Sequence, residues 1–171
     1  MSRLTDTDQK TKHFTLCALF AAFAMILSYV EAILPIPLLI PGAKIGLANA
    51  AVLLALYRLG IAEAVVVNLV RILVTGFLFG NIYTISFALA GAVLSLIVMA
   101  LFHFFGFHMV TASMAGGISH NIGQFLVALV LVLHQGLWYY LPLLAVAGLV
   151  SGLVIGIVDA MIDVRVKELH I

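Results

Sequence analysis

The chain alternates long apolar segments with short polar connections. Six apolar segments can be distinguished, at 13–33, 44–59, 61–79, 83–105, 109–133 and 139–163. A helix needs about 20 residues to cross a hydrocarbon core of about 30 Å, and all the segments except the short second one are close to that length. The pattern predicts a six-transmembrane-helix bundle at 13–163, with polar tails at 1–12 and 164–171.

Small residues recur at four-residue spacing within several segments, which lets helix backbones approach closely. Those of the last three segments are Gly91 and Ser95, Ala112 and Gly116, and Gly148, Gly152 and Gly156. We interpret these as packing positions inside the bundle. For Ala18 and Ala22 of the first segment, a docking surface for another membrane subunit is a second interpretation.

Composition agrees with a membrane environment. Of the 171 residues, 65% are hydrophobic and 9% are charged, whereas soluble domains carry about 25% charged residues. The net charge of +1 gives no reason to expect nucleic acid as a partner. Cys17 is the single cysteine, so an intrachain disulfide and a thiolate metal cluster are excluded. Membrane lipid and a small molecule are the expected partners.

The distribution of basic residues predicts the orientation. Six spans place both termini on one side, together with the connection between the second and third spans. The basic residues on that side are Arg3, Lys10, Lys12, Arg58, Arg165 and Lys167. The opposite side has Lys44 alone, since Arg71 lies within a span. The positive-inside rule therefore predicts cytoplasmic termini, with Trp138 and the two tyrosines that follow it at the outer interface.

Polar side chains within the spans lie mostly between the midplane and the outer face. A charge at the bilayer centre costs about 2.5–3.5 kcal/mol on insertion scales, so it normally faces a cavity, a partner or a pathway. The pattern predicts an outward-facing pocket for a small anionic or polar molecule. The candidate binding residues are Glu31, Lys44, Asn49, Arg71, His120, Asn121 and Gln124.

Each candidate is assigned an expected role. Arg71 supplies positive charge, Lys44 assists at the mouth, and the amide and imidazole side chains supply hydrogen bonds. Glu31 pairs with Lys44 or meets a cationic part of the ligand. The alternative for each residue is structural, a polar contact that ties one helix to another. His120 and Gln124 share a face at i,i+4, whereas Asn121 is offset and lines the pocket or braces a neighbouring helix.

The segment 33–44 connects the first two spans. Pro35, Pro37 and Pro41 prevent a regular helix there, although the segment is apolar. Non-helical backbone at membrane depth occurs where it is buried in protein or lines a cavity. The segment is therefore interpreted as a cap or wall of the pocket, or as an interfacial loop among the headgroups.

Three motifs carry a family resemblance. PGAKIGLAN at 41–49, LVRILVTGFLFG at 69–80 and HNIGQ at 120–124 occur in this order in a six-span chain. The chain resembles the bacterial Gx transporter family, also labelled heptaprenyl diphosphate synthase component I. It is more distantly similar to the substrate-binding S components of energy-coupling factor (ECF) transporters. The resemblance implies the six-helix S-component fold, a bacterial cytoplasmic membrane location and capture of a small molecule from outside.

The resemblance also implies a partner. In S components, a small-residue face on the first helix contacts a transmembrane coupling subunit, which two cytoplasmic ATPases drive. Ala18 and Ala22 match that pattern. The chain itself lacks a GxxxxGK[ST] phosphate loop.

The two family labels imply different activities. Prenyl diphosphate elongation needs aspartate-rich clusters, because magnesium bridges carboxylates to the diphosphate. Inside the bundle, Asp159 and Asp163 form the one close carboxylate pair. His103 and His108 lack further ligands for a metal site. We therefore expect no enzyme activity, no cofactor and no metal. The alternative to transport is a non-catalytic accessory subunit (component I) in prenyl diphosphate or quinone biosynthesis.

Overall fold

The computed structural model describes residues 2–33, 46–132 and 135–168. These residues form six α-helices and a short 3-10 helix. The bounds are α1 Ser2–Ile33, α2 Leu47–Arg58, α3 Ile61–Phe79, α4 Ile82–Phe104, α5 Met109–Val132 and α6 Leu141–Glu168, with the 3-10 helix Gln135–Tyr140 between α5 and α6. No strand occurs in the described ranges. The predicted all-α class is confirmed.

Five of these helices are long and apolar enough to cross a membrane. The exception is α2, whose 12 residues span about 18 Å at 1.5 Å per residue, well short of a hydrocarbon core. Of the six predicted spans, five therefore coincide with helices long and apolar enough to cross a membrane, and the second does not. At the other extreme α1 has 32 residues, and its helix continues through the segment expected to be a polar tail.

The short helix α2 forms the centre of the bundle. Ala48 and every residue of the run 51–56 are buried, and α2 packs against α1, α3 and α6. A helix that is apolar on all sides is stable where protein surrounds it. Because α2 is surrounded, polar groups at its N-terminal end lie inside the protein and not in lipid.

Helices α4, α5 and α6 pack most extensively, with small residues at the contacts. A Cβ atom at Gly117 would collide with the carbonyl group of Gly148. A Cβ atom at Gly152 would lie 2.5 Å from the carbonyl oxygen of Ser113. The α5 and α6 backbones therefore touch directly, as the spacing of small residues predicted.

The two ends of the bundle differ in chemistry. At the end that carries the termini, the Arg58 guanidinium pairs with the Asp163 carboxylate, which ties α2 to α6. Nearby, the His13 ring lies 3.5 Å from the Glu63 carboxylate. At the opposite end, Glu31 and the start of α2 meet beside α3 and α5, and this is where the polar residues of the spans converge.

Candidate functional site

Most of the predicted binding residues surround one cavity of about 90 Å³, here called the polar cavity. It lies between the start of α2 and the facing sides of α1, α3, α4 and α5. The candidate residues that line it are Glu31, Asn49, Arg71, His120 and Gln124. Lys44 and the three prolines of the connection lie outside the described residues. The structure thus brings five of the seven candidates together around a single cavity.

Arg71 is fixed in the wall of the polar cavity by two asparagines. Its Nε donates to Oδ1 of Asn68, one turn earlier on α3, at 2.9 Å. Its Nη2 donates to Oδ1 of Asn49 on α2 at 3.1 Å. The side chain is 8% exposed, so the guanidinium is held in one orientation inside the bundle.

The guanidinium of Arg71 keeps donors beyond those two bonds. An arginine carries five N–H groups, and the described residues accept hydrogen bonds from two of them. Both N–H groups of Nη1 and the second N–H of Nη2 have no acceptor among these residues. Because Arg71 lines the polar cavity, the oxygen atoms of a bound ligand can accept hydrogen bonds from these N–H groups.

Glu31 has a structural contact and also faces the cavity. Its Oε1 accepts a hydrogen bond of 2.6 Å from the backbone N–H of Gly46. Gly46 precedes α2 and adopts φ 77°, a left-handed conformation that favours glycine. Gly46 has no side chain with which to cap α2. The Glu31 carboxylate from α1 instead supplies negative charge at the positive end of the α2 dipole. Glu31 also acts electrostatically on Arg71.

His120 and Gln124 form the α5 wall. Their Nε2 atoms lie 3.1 Å apart, in a contact one turn along the helix. Across the interface, a Cβ atom at Gly91 of α4 would lie 2.8 Å from the imidazole of His120. A glycine at this position therefore provides the space that the imidazole occupies.

Asn121 does not line the polar cavity. It is 2% exposed, and its Nδ2 donates to the backbone carbonyl of Leu144 on α6 at 2.8 Å. It also borders a separate void of about 10 Å³, which at most suits a single water. Of the two roles considered for Asn121, the geometry supports the one in which it braces α5 against α6.

Several polar residues of the cavity were not among the predicted binding residues. They are Ser28, Thr75 and Thr84. The Ser28 hydroxyl is buried, and no described residue bonds to it. Ser28 precedes Glu31 by three residues and Thr75 follows Arg71 by four, so helical spacing from a charged residue was the signal for both. Thr84 stands beside no charged residue and lacked this signal.

Two carboxylates of α6, Asp159 and Asp163, lie near the other end of the bundle. The Asp163 carboxylate accepts a hydrogen bond from Nε of Arg58, and Asp159 is fully buried. Neither oxygen of Asp159 accepts a hydrogen bond within the described part of the chain. Among the described residues, no three His, Cys, Asp or Glu side chains cluster in a way that could hold a metal ion.

The candidate docking residues lie on the outward side of α1. Ala18 is exposed and Ala22 is partly exposed. They share this side with Phe14, Leu19 and Ile26, which are more than half exposed. The face is accessible to lipid or to another membrane protein.

Fold and cavity together define a multi-pass α-helical membrane protein with a charged polar cavity toward one end. Residues 20–162 match the family described as heptaprenyl diphosphate synthase component I, and since this range covers most of the chain, the protein belongs to that family. Comparison with curated proteins and with solved structures found no match.

Proposed function

We propose that this protein binds a small anionic or polar molecule in the polar cavity and acts in its uptake across the membrane. The main support for this proposal is the Arg71 guanidinium. Two asparagines hold it in the cavity wall, and three of its N–H groups have no acceptor among the described residues. Hydrogen bonds between arginine and carboxylate or phosphate are among the strongest in proteins.

The charge balance of the cavity refines the ligand class. Glu31 faces the same space as Arg71, and His120 and Gln124 offer donors or acceptors on the opposite wall. In a ligand that carries an acidic group beside a hydroxyl or amide group, the acidic group can pair with Arg71 and the hydroxyl or amide can donate to Glu31. Such a molecule leaves neither charge of the cavity without a partner.

A coupling partner is part of the proposal. The resemblance to S components implies an ATPase-driven transmembrane subunit, and the exposed Ala18 and Ala22 offer a low-relief contact surface on α1. Small residues permit close approach between helices. In this scheme the protein supplies binding and the partner supplies energy.

Binding is tested with the purified protein in lipid nanodiscs. A panel of small carboxylates, phosphates and amino acids is screened by thermal shift, and hits are titrated calorimetrically. Arg71→Gln is expected to weaken binding by about tenfold to about 150-fold, the equivalent of one or more lost hydrogen bonds to a charged group. Arg71→Lys keeps the positive charge but lacks the planar guanidinium. Its affinity is expected to lie between that of the unmodified protein and that of Arg71→Gln.

Arg165→Gln is the matched control, since it removes an exposed arginine far from the cavity and is expected to bind as the unmodified protein does. Circular dichroism checks that each variant is folded. A folded Arg71→Gln protein with undiminished affinity for every hit contradicts the proposal.

The family description favours a second candidate function, a non-catalytic membrane component in prenyl diphosphate or quinone biosynthesis. In this role the protein recruits a soluble synthase or holds its lipid product. Purification in native lipids, followed by mass spectrometry of the co-eluting molecules, distinguishes the two. Recovery of a water-soluble metabolite that Arg71→Gln abolishes supports uptake. Recovery of a prenyl lipid or a synthase, unaffected by that change, supports the accessory role.

A further inference from the structure

The polar cavity has a larger apolar neighbour. This second space, here called the apolar groove, has a volume of about 570 Å³. It lies between α4, α5 and the junction of the 3-10 helix with α6. Its main apolar walls are Phe87, Phe125, Ala128, Leu137 and Leu144, with Tyr140 at one side. No charged side chain is found among its described lining residues.

The two spaces adjoin at two side chains. Thr84 of α4 and Gln124 of α5 line both the polar cavity and the apolar groove. Gln124 is oriented by His120 on the polar side, and the Thr84 hydroxyl donates to Oδ1 of Asn81 at 3.0 Å. A charged site and an apolar site therefore meet along one boundary.

The volumes decide what kind of ligand fits. Small-molecule sites usually enclose about 300–1,000 Å³ and are lined mostly by apolar side chains, with a few placed polar groups. The polar cavity, at about 90 Å³, suits a headgroup and not a whole ligand of that size. The apolar groove, at about 570 Å³, falls within the usual range but has no charged anchor.

We propose that the ligand is a single-chain amphiphile with an acidic head. Its phosphate or carboxylate accepts hydrogen bonds from the Arg71 N–H groups that have no acceptor among the described residues, and its apolar chain passes Gln124 into the apolar groove. The inference rests on the proposed binding function and narrows its substrate class. The head forms charge-assisted hydrogen bonds with Arg71. The chain buries its apolar surface against the apolar side chains of the groove.

Trp138 provides a built-in reporter for the chain. It is the single tryptophan of the protein, and its ring packs edge-on against Phe125, with centroids 5.5 Å apart. Phe125 lines the apolar groove. A bromine atom on the end of a bound chain is thus expected to quench the tryptophan fluorescence.

The test titrates dodecyl phosphate, brominated at its chain end, into nanodiscs that contain the full protein. Bromododecanol has the same chain and no acidic head, so it measures quenching from the bulk lipid. We expect saturable quenching by the phosphate at concentrations at least about tenfold lower than any effect of the alcohol. Arg71→Gln and Arg71→Lys are both expected to reduce this difference.

A groove variant separates the chain from the head. Ala128→Phe narrows the apolar groove with a phenyl ring, whereas Ala62→Phe adds the same ring at an exposed position on α3. Ala128→Phe is expected to weaken dodecyl phosphate by at least about tenfold, because several methylene groups lose their site. Binding of ethyl phosphate, which has almost no chain, is expected to be unchanged in both variants.

Three outcomes contradict the amphiphile inference without contradicting the proposed binding function. If ethyl and dodecyl phosphate bind equally and Ala128→Phe affects neither, the ligand is a headgroup alone and the binding function survives. If phosphate and alcohol quench equally without saturation, the chain samples only bulk lipid. If native mass spectrometry finds a bilayer phospholipid that dodecyl phosphate does not displace, the groove is a lipid site. Failure of every anion to bind removes the proposed function as well.

Discussion

At the residue scale, two buried ionisable side chains of this protein have opposite surroundings. Arg71 is held by Asn68 and Asn49 and faces a cavity. Asp159 is fully buried on α6, and none of the described residues donates a hydrogen bond to it. A buried charge without a partner is unfavourable. Arg71 therefore has side-chain partners that stabilise its charge in the interior, whereas no described residue stabilises an ionised Asp159.

This contrast predicts the effect of neutralising the two aspartates of α6. Asp159→Asn keeps the shape and removes a buried carboxyl group that no described residue stabilises, so the melting temperature is expected to stay the same or rise. Asp163→Asn is the matched change one turn away, and it breaks the ion pair with Arg58. We expect it to lower the free energy of unfolding by about 1–3 kcal/mol. Thermal melts in nanodiscs measure both, and a large loss for Asp159→Asn alone contradicts this account.

Helical spacing in the sequence predicted part of the site at this scale. It placed His120 and Gln124 on one face and set Asn121 apart from them, as the contacts have it. It did not predict that Glu31 binds the N–H of Gly46, because that contact depends on where the connection brings α2. Spacing describes one helix at a time and contains no information about the partner helix.

At the element scale, the sequence predicted the number of helices better than their placement. The apolar runs predicted six helical segments, and the described residues contain six α-helices together with one short 3-10 helix. The central position of α2 could not be predicted, because a helix that is apolar all round suits lipid and protein interior equally well. Its 12 residues were the one signal, since so short a helix does not reach across a bilayer.

The exposed face of α1 is a proposed contact surface for another membrane subunit, and substitutions there test this role. Ala18→Leu with Ala22→Leu adds bulk on the outward side of α1, while the buried contacts of Ala24 with the core remain. If a coupling subunit docks there, the double variant is expected to lose co-purification of that subunit and to keep ligand binding. Ala62→Leu, at an exposed position on α3, is the matched control. A partner retained by the double variant excludes this face as the docking surface.

At the scale of the whole molecule, polarity is distributed unevenly along the membrane normal. The polar cavity lies at the end where α1 finishes and α2 begins, and the Arg58–Asp163 pair lies at the end with the termini. Between them, the core around α2 is apolar, from Ala51 to Leu56. A cavity at one end above an apolar core suits binding from one side, with release requiring a change of conformation.

The side of the membrane that the polar cavity faces distinguishes the two proposed functions. The excess of basic residues near the termini predicts that the termini are cytoplasmic, and on that prediction the cavity is expected to open outward. Replacement of Cys17, the single cysteine, by alanine permits labelling at chosen sites. Tyr139→Cys, at a position 88% exposed near the cavity end, is expected to react with a membrane-impermeant maleimide in intact cells. Arg165→Cys is expected to react only after permeabilisation. The reverse pattern places the cavity on the cytoplasmic side, where uptake is excluded and a component that receives its ligand from a cytoplasmic enzyme becomes the better explanation.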